Sequence, residues 1–122
     1  MIERNKATIR NIAEVLWETP PGHYDAHSKM LVNPQSNATK QFDFRISSYQ
    51  PKGYVAPHAH KIQEQIYHIV QGEGLMELDD ARHVVRPQDC IFIPPGVTHA
   101  IYNTGLSDLV FFVATSPPED EA

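Results

Sequence analysis

The sequence predicts an all-β fold, a barrel or sandwich of short antiparallel strands preceded by an irregular N-terminal extension. Apolar side chains recur at every second position in Phe42, Phe44 and Ile46, a pattern typical of half-buried strands. Ten prolines and six glycines in 122 residues supply turn signals at short intervals. No stretch between the apolar runs is long enough for a helical crossover, which disfavours a parallel α/β sheet.

The first forty residues are the least regular part of the chain. Apolar spacing within residues 9–16 indicates a short helix, and residues 28–32 indicate a strand. Residues 20–27, which contain His23 and His27, show neither pattern, and we expect them to form a solvated loop.

Strand signals continue from there to residue 115. Phe42, Phe44 and Ile46 are expected to be walls of the interior, with the polar residues between them on the opposite face. Seven further strands are predicted at 54–60, 65–70, 75–78, 82–86, 90–93, 100–103 and 109–115. We therefore divide the chain into three parts. These are an extension packing on the barrel or a dimer partner at 1–41, the barrel at 42–115, and a loose acidic tail at 116–122.

Composition limits the classes of function. The net charge of -5 disfavours nucleic-acid binding, which needs clustered Lys and Arg. Cys90 is the single cysteine, so no internal disulfide can form and a reducing compartment is the simplest expectation. No apolar run approaches the roughly 20 residues of a membrane span, and the N-terminus lacks the apolar stretch of a signal peptide. These observations predict a cytoplasmic protein without nucleic-acid or membrane partners.

Three histidines are candidates for a metal site. His58 and His60 are one residue apart on a predicted strand and should point the same way, while His99 begins another strand. Three imidazoles and an oxygen donor suit a divalent transition metal such as Fe, Mn, Ni or Zn. Both Glu64 and Gln65 could supply that oxygen.

The histidines lie within two longer patterns. The first reads Gly53, four residues, His58-x-His60, four residues, Gln65, six residues, Gly72. The second reads Pro94-x-Gly96-x-x-His99-x-x-x-Asn103. Together they closely resemble the two signature motifs of the cupin superfamily, over about residues 42–115. Two departures are that Gly53 stands one residue closer to His58 than usual, and that Gln88 replaces a glycine in a turn that tends to need positive φ.

The resemblance implies a double-stranded β-helix, or jelly-roll barrel, with a metal inside its mouth. It assigns His58, His60, Gln65 and His99 as the ligands, because the count back from Gly72 reaches Gln65 where most members of the family carry an acid. With Gln65 inward, Tyr67 and Ile69 face the cavity, as Ile101 should. With Glu64 inward, His68 would be buried without an evident partner. A carboxylate is nevertheless the stronger ligand for a cation, so Glu64 remains the competing choice.

The same ligand set suggests a reaction class. Three neutral imidazoles and an amide leave the ion its full charge, which favours Lewis-acid catalysis. We therefore expect a redox-neutral enzyme of the isomerase or lyase type, acting on a small oxygen-rich or sugar-acid-like substrate with Tyr67 as candidate catalytic residue. The alternatives are a non-haem iron dioxygenase and a non-catalytic small-molecule-binding or sensor module. The sequence does not decide whether the protein is an enzyme.

A homodimer is also predicted. Residues 65–70 are apolar on both faces of their strand, and residues 109–113 are apolar throughout. A barrel has one interior, so the outward apolar side chains need other cover, and a second subunit related by a two-fold axis is the commonest solution.

Overall fold

Eight β-strands make up most of the protein in a computed structural model that describes residues 6–121. They are β1 (His23–Val32), β2 (Asp43–Val55), β3 (Glu64–Gln71), β4 (Gly74–Leu78), β5 (Ala81–Val85), β6 (Cys90–Ile93), β7 (His99–Asn103) and β8 (Leu109–Ser116). A 3-10 turn at Ile12–Glu14 precedes β1, and one helical turn, α1 (Pro34–Asn37), connects β1 to β2. The prediction of an all-β fold is confirmed.

All eight strands belong to one antiparallel sheet that curls on itself. Its order is β5-β4-β7-β2-β8-β3-β6, with β1 added on β2. Strand β2 connects the two halves of the sheet, because its residues 43–49 pair with β8 while Tyr54 pairs with Tyr102 of β7. This is the double-stranded β-helix that the motifs predict. Among the described residues, no helix is long and apolar enough to cross a membrane.

Two glycines of the first motif are required by close backbone contacts. A Cβ on Gly53 would lie 2.3 Å from the carbonyl oxygen of Asp25. Gly72 has a φ of +87°, and a Cβ there would lie 2.6 Å from the carbonyl oxygen of Asp108. Only glycine fits such positions without moving the chain. These two contacts fix both ends of the segment that carries His58, His60 and Gln65.

The strands predicted from residue 65 onward are confirmed to within one residue at each end. The predicted strand at 54–60 is wrong, because β2 ends at Val55. Beyond it, Pro57 has no N–H to donate and His58 forms only an isolated bridge with His99. His58 and His60 therefore lie on an irregular segment between β2 and β3.

The predicted orientation of Phe42, Phe44 and Ile46 is also wrong. Strand β2 turns Asp43, Ser47 and Tyr49 inward, and these side chains are almost fully buried. The side chain of Phe42 is 48% exposed, and Phe44 stacks on Phe112 of β8 at 5.3 Å between ring centroids. Strand alternation is confirmed, but the interior at this end of the barrel is a polar cavity, so the apolar side chains pack together outside.

The N-terminal segment is more ordered than its sequence predicts. The expected helix at 9–16 is reduced to the single turn at Ile12–Glu14, and the expected loop at 20–27 is wrong because β1 begins at His23. Pairing with β2 supplies the hydrogen bonds that the local sequence does not specify. Strand β1 also buries Ala26 and Ser28 completely. Part of the segment 1–41 thus belongs to the same sheet as the barrel.

Replacing Gln88 by glycine should stabilise the protein by about 1 kcal/mol, because a non-glycine residue with positive φ costs roughly that much. Gln88 adopts a φ of 78°, and its side chain makes one exposed contact of 3.2 Å with His68. Urea unfolding of the two proteins measures the difference. The matched control is Gln50→Gly, at an exposed position of β2, which should destabilise by about 0.5–1 kcal/mol. Equal destabilisation by both changes would contradict the assignment of strain to this turn.

Candidate metal centre

Backbone hydrogen bonds bring the motif histidines together. The N–H of His58 donates to the carbonyl of His99 at 3.1 Å, and the N–H of His99 donates back at 2.8 Å. The N–H of Gly96 donates to the carbonyl of His60 at 2.8 Å. The irregular segment after β2 is thereby fixed against the turn that precedes β7.

The three imidazoles converge on one point. One ring nitrogen from each of His58, His60 and His99 lies within 4.8 Å of the other two. The ring centroids of His58 and His99 are 4.2 Å apart, and His60 is 5.1 Å from His58 and 5.3 Å from His99. The cluster could therefore hold a metal ion, with one ligand atom from each ring.

Backbone carbonyls orient two of these rings. Nδ1 of His58 donates to the carbonyl of Ala56 at 2.8 Å, and Nδ1 of His99 donates to that of Val97 at 3.0 Å. A carbonyl can only accept, so the proton lies on Nδ1 and the lone pair on Nε2. Outer hydrogen bonds of this kind commonly orient metal-binding histidines.

The atoms that face the centre of the cluster lack partners. Nε2 of His60, Nε2 of His99 and Oε1 of Gln65 are buried and have no hydrogen-bond partner within residues 6–121. The amide nitrogen of Gln65 donates to Oγ1 of Thr115 at 3.1 Å, which turns the amide oxygen away from Thr115. Buried acceptors are costly to leave unsatisfied, and a divalent cation would satisfy all three. The residues present thus fit the metal that the cupin motifs imply.

Glu64 and Gln65 lie on opposite faces of β3. The side chain of Gln65 is 8% exposed, whereas Glu64 is exposed and precedes it on the outer face. Tyr67 and Ile69 follow Gln65 on the inner face and are buried. The structure thus places the amide near the histidines; its role as the fourth ligand stays a prediction.

Burial favours the neutral form of two of the imidazoles, those of His60 and His99. Burial, together with the nearby His58 and His60, lowers the pKa of His99 to about 4, against the hydrogen bond to Val97. Burial also lowers the pKa of His60, as does His58, whereas the charge of Asp120 opposes the shift. Neutral imidazole is the form that binds metal, so burial favours the metal-binding form of His60 and His99.

Sequence reasoning missed a contact from the C-terminal segment. The carboxylate of Asp120 accepts hydrogen bonds from the N–H groups of Lys61, Ile62 and Gln63 at 2.9–3.2 Å. One of its oxygens is 3.7 Å from Nδ1 of His60. These backbone hydrogen bonds, that of Ile62 above all, lower the pKa of Asp120. Fifty-nine residues separate Lys61 from Asp120, so no local pattern could have predicted this contact.

His58 and His60 border a cavity of about 330 Å³ in the mouth of the barrel. Its lining mixes apolar and polar side chains, and the polar ones include Gln65, Arg45, Asp43 and His23. The sequence prediction missed Arg45, Asp43 and His23. It placed Asp43 and Arg45 on the outer face of their strand and assigned His23 to a loop. The signal was present, since Asp43 and Arg45 alternate with Phe44, but the pattern did not say which face was inside.

Tyr67, the candidate catalytic residue, lines the cavity. Its ring stacks on Phe111 at 5.4 Å and meets His99 edge-on at 6.4 Å. Burial raises its pKa to about 12, against the opposing charge of Arg45. At neutral pH the phenol keeps its proton, so it can donate a hydrogen bond but is a poor base. Tyr49 also lines the cavity, whereas Tyr54 and Tyr102 stack on each other outside its lining.

Comparison with known proteins defines the family. The Cupin domain family model matches residues 45–115, which is more than half of the chain. The chain therefore belongs to the cupin family, and its three-histidine cluster could hold the metal that this family commonly binds.

Individual relatives are similar over part or most of the chain. An uncharacterised protein of Methanocaldococcus jannaschii is 41% identical over 61 residues, half of this chain and 49% of the relative. An oxalate-binding protein of Thermotoga maritima is 37% identical over 82 residues, 66% of this chain and 67% of the relative. The crystal structure of a predicted oxalate decarboxylase from Thermotoga maritima superposes with a TM-score of 0.81 at 24% identity, covering 90% of this chain and 99% of the other. That last similarity shows the fold.

The metal-free protein should lose stability as the pH falls from about 6.5 to about 4. Across that range the unfolded chain takes up a proton at residue 99 that the folded chain, with its lowered pKa, does not. The stability is fully present above pH 6.5, and the loss from this residue is about 3 kcal/mol by pH 4. Urea unfolding in the presence of a chelator, repeated from pH 7.5 to 4, measures it.

Two variants test the assignment to residue 99. His99→Gln should flatten the dependence on pH, whereas His83→Gln, at an exposed histidine, should leave it unchanged. An unaltered pH dependence in the His99 variant would contradict the assignment.

Proposed function

We propose that the protein is a metal-dependent cupin that binds a divalent transition metal through His58, His60, His99 and Gln65. The observation that carries this proposal is the set of buried, unpartnered acceptors around one point, Nε2 of His60 and His99 and Oε1 of Gln65. When bound, the ion would supply Lewis-acid polarisation of a substrate oxygen. The ligand set adds no negative charge, which supports a redox-neutral reaction of the isomerase or lyase type over oxygen activation.

The chain's own residues define what such a reaction can use. Tyr67 holds its proton and can donate to a developing negative charge on the substrate. Among residues 6–121, Asp43 is the one carboxylate in the cavity lining, and it is paired with Arg45 at 3.3 Å. Burial raises the pKa of Asp43, against the charge of Arg45, which suits a group that exchanges a proton with a bound substrate.

A non-catalytic binding module is the second candidate. Two observations favour it: the cavity offers no carboxylate besides the paired Asp43 among its lining residues, and a relative with 37% identity is named an oxalate-binding protein. A small oxygen-rich ligand that binds metal and cavity would serve either function.

Replacing Gln65 by alanine should weaken metal binding by about 10-fold or more, while Glu64→Ala should leave it nearly unchanged. Of these two side chains, Gln65 is buried and Glu64 is exposed. The double variant His58→Ala, His99→Ala should abolish tight binding and still show the circular dichroism of a β protein. Competition with a chromophoric chelator for zinc measures all three affinities. A larger loss from Glu64→Ala than from Gln65→Ala would show that the carboxylate is the ligand, and stoichiometric metal in the double variant would place the site elsewhere.

Metal analysis and oxygen uptake decide between the reaction classes. Protein purified without chelators or a nickel column is analysed for metal, then loaded with Fe(II) and screened against hydroxy acids, keto acids and sugar acids. Product formation without oxygen consumption is the expected result. Substrate-dependent oxygen uptake would instead establish a dioxygenase, and tight binding without any product would establish a binding module.

We further propose a homodimer through the outer face of the β3–β6–β8 half of the sheet. Phe44, Ala114, Ile66 and Phe92 are cross-strand neighbours in one row across β2, β8, β3 and β6. Ile66 is 46% exposed and Phe92 is 56% exposed. A continuous apolar row of this kind is costly to leave in water, and a two-fold copy of the same row covers it.

Phe92→Asp should convert the dimer to a monomer at micromolar concentration, because a dimer would bury the new charge in an apolar contact. Sedimentation equilibrium measures the mass. Leu106→Asp is the matched control, at a fully exposed loop residue outside this row, and should remain dimeric. A wild-type mass equal to one chain at every concentration would overturn the proposal.

A further inference from the structure

Arg45 lines the cavity from β2, two strands away from the strand that carries Gln65. Arg45 lies on the inner face of β2, opposite Val113 of β8, and Val113 in turn lies opposite Tyr67 of β3. Two strand spacings, about 10 Å between Cα atoms, therefore separate Arg45 from Tyr67. Gln65 is two residues before Tyr67 on the same inner face. Arg45, Gln65 and the histidines His58 and His60 line the same cavity of about 330 Å³, which has room for a small molecule.

The guanidinium of Arg45 contacts Asp43 through one nitrogen. Nη2 contacts the two carboxylate oxygens of Asp43 at 3.3 and 3.4 Å. Nε is buried and has no hydrogen-bond partner in the part of the chain that the structure describes. A buried N–H of a charged group that lacks an acceptor costs more than about 1 kcal/mol. Asp43 thus holds the group at Nη2 while its Nε–H remains able to donate.

The charge of the cavity favours an anion. The other titratable side chains in the lining are histidines and tyrosines, none of which carries a negative charge when protonated or neutral, and Asp43 offsets the charge of Arg45. Any divalent ion at the histidines would leave the site with an excess positive charge of about two. A ligand with a negative charge on one end and a neutral oxygen on the other matches this arrangement better than an uncharged sugar.

We propose that Arg45, oriented by Asp43, is the recognition site for the carboxylate of the substrate, and that the substrate is a small hydroxy- or oxo-carboxylate. The carboxylate accepts from Nε–H, and the hydroxyl or carbonyl oxygen reaches the histidine cluster. A charge-assisted hydrogen bond to a planar guanidinium gives both affinity and orientation. The cavity volume of about 330 Å³ limits the ligand to a small molecule, of roughly two to six carbons.

This inference rests on the proposed metal site for the second contact, but the carboxylate contact can be tested without it. The probes are lactate and malate, with lactamide and malamide as neutral analogues of nearly the same shape. The protein is labelled with nitrogen-15 and studied in two forms, loaded with diamagnetic Zn²⁺ and stripped by a chelator. The Nε–H resonance of Arg45 is identified as the one that Arg45→Lys removes.

Titration with lactate or malate should shift the Arg45 Nε–H resonance in both forms, with tighter binding when zinc is present. The amides should leave it in place. Unchanged resonances with every carboxylate, or equal shifts with the amides, would overturn the proposal and assign the acceptor of Nε–H to water.

Affinity measurements by calorimetry on the zinc form supply the second arm. Arg45→Gln should weaken carboxylate binding by about 10- to 100-fold, the usual worth of a charged hydrogen bond. Arg45→Lys should recover part of it, because lysine keeps the charge and loses the fork. Arg86→Gln removes one charge at an exposed site and is the matched control, with no expected change. The zinc content of each variant is measured and must equal that of the wild type. A variant that has lost the metal site is thereby distinguished from one that has lost only carboxylate binding.

The two proposals fail in different ways. Wild-type protein that holds no zinc would overturn the metal site, and the stripped protein would still decide the role of Arg45. Full zinc content with carboxylate affinity unaltered in Arg45→Gln would overturn the carboxylate site alone.

Discussion

The candidate site depends on the pair of backbone hydrogen bonds between His58 and His99. These residues are forty-one positions apart in sequence, and their contact lies outside every regular strand pair. Because each donates its N–H to the other's carbonyl, the two Cα atoms are held at the distance of a β-bridge. The rings then need only the hydrogen bonds of their Nδ1 atoms to turn both Nε2 atoms inward. The histidine cluster is thus positioned first by the backbone, and the side-chain hydrogen bonds complete it.

The same constraint explains why the segment between β2 and β3 is irregular. A regular strand through His58 and His60 would have continued the ladder of β2, but Pro57 cannot donate and Ala56 donates to Gly22 instead. The segment is therefore secured one contact at a time, by His99, Gly96 and the Asp120 carboxylate. Each anchor lies far from it along the chain. Such a segment is ordered without being repetitive, which is why its sequence carries no periodic signal.

The sequence specified the candidate site better than it specified its surroundings. The resemblance to the cupin motifs selected the three histidines and Gln65, and alternation along β3 put Gln65, Tyr67 and Ile69 on the inner face, as the structure has them. It could not predict the inner face of β2, because both faces of that strand pack: apolar side chains lie outside and polar ones line the cavity. The rule that apolar residues point inward fails where the interior must bind a polar molecule. Arg45 and Asp43 were missed for that reason.

The orientation of β2, opposite to the predicted one, has a chemical consequence for the cavity. Had Phe44 and Ile46 lined it, the histidine cluster would face an apolar wall, and only the ion would select a ligand. With Asp43, Arg45 and Ser47 inward, the wall opposite the cluster carries a fixed cation whose position is set by a neighbouring carboxylate. Burying that ion pair has a substantial desolvation cost, and the pair contributes little stability by itself. A buried pair with an unsatisfied N–H is therefore better explained by recognition of a ligand than by support of the fold, and the charge of Arg45 makes a carboxylate the ligand that fits.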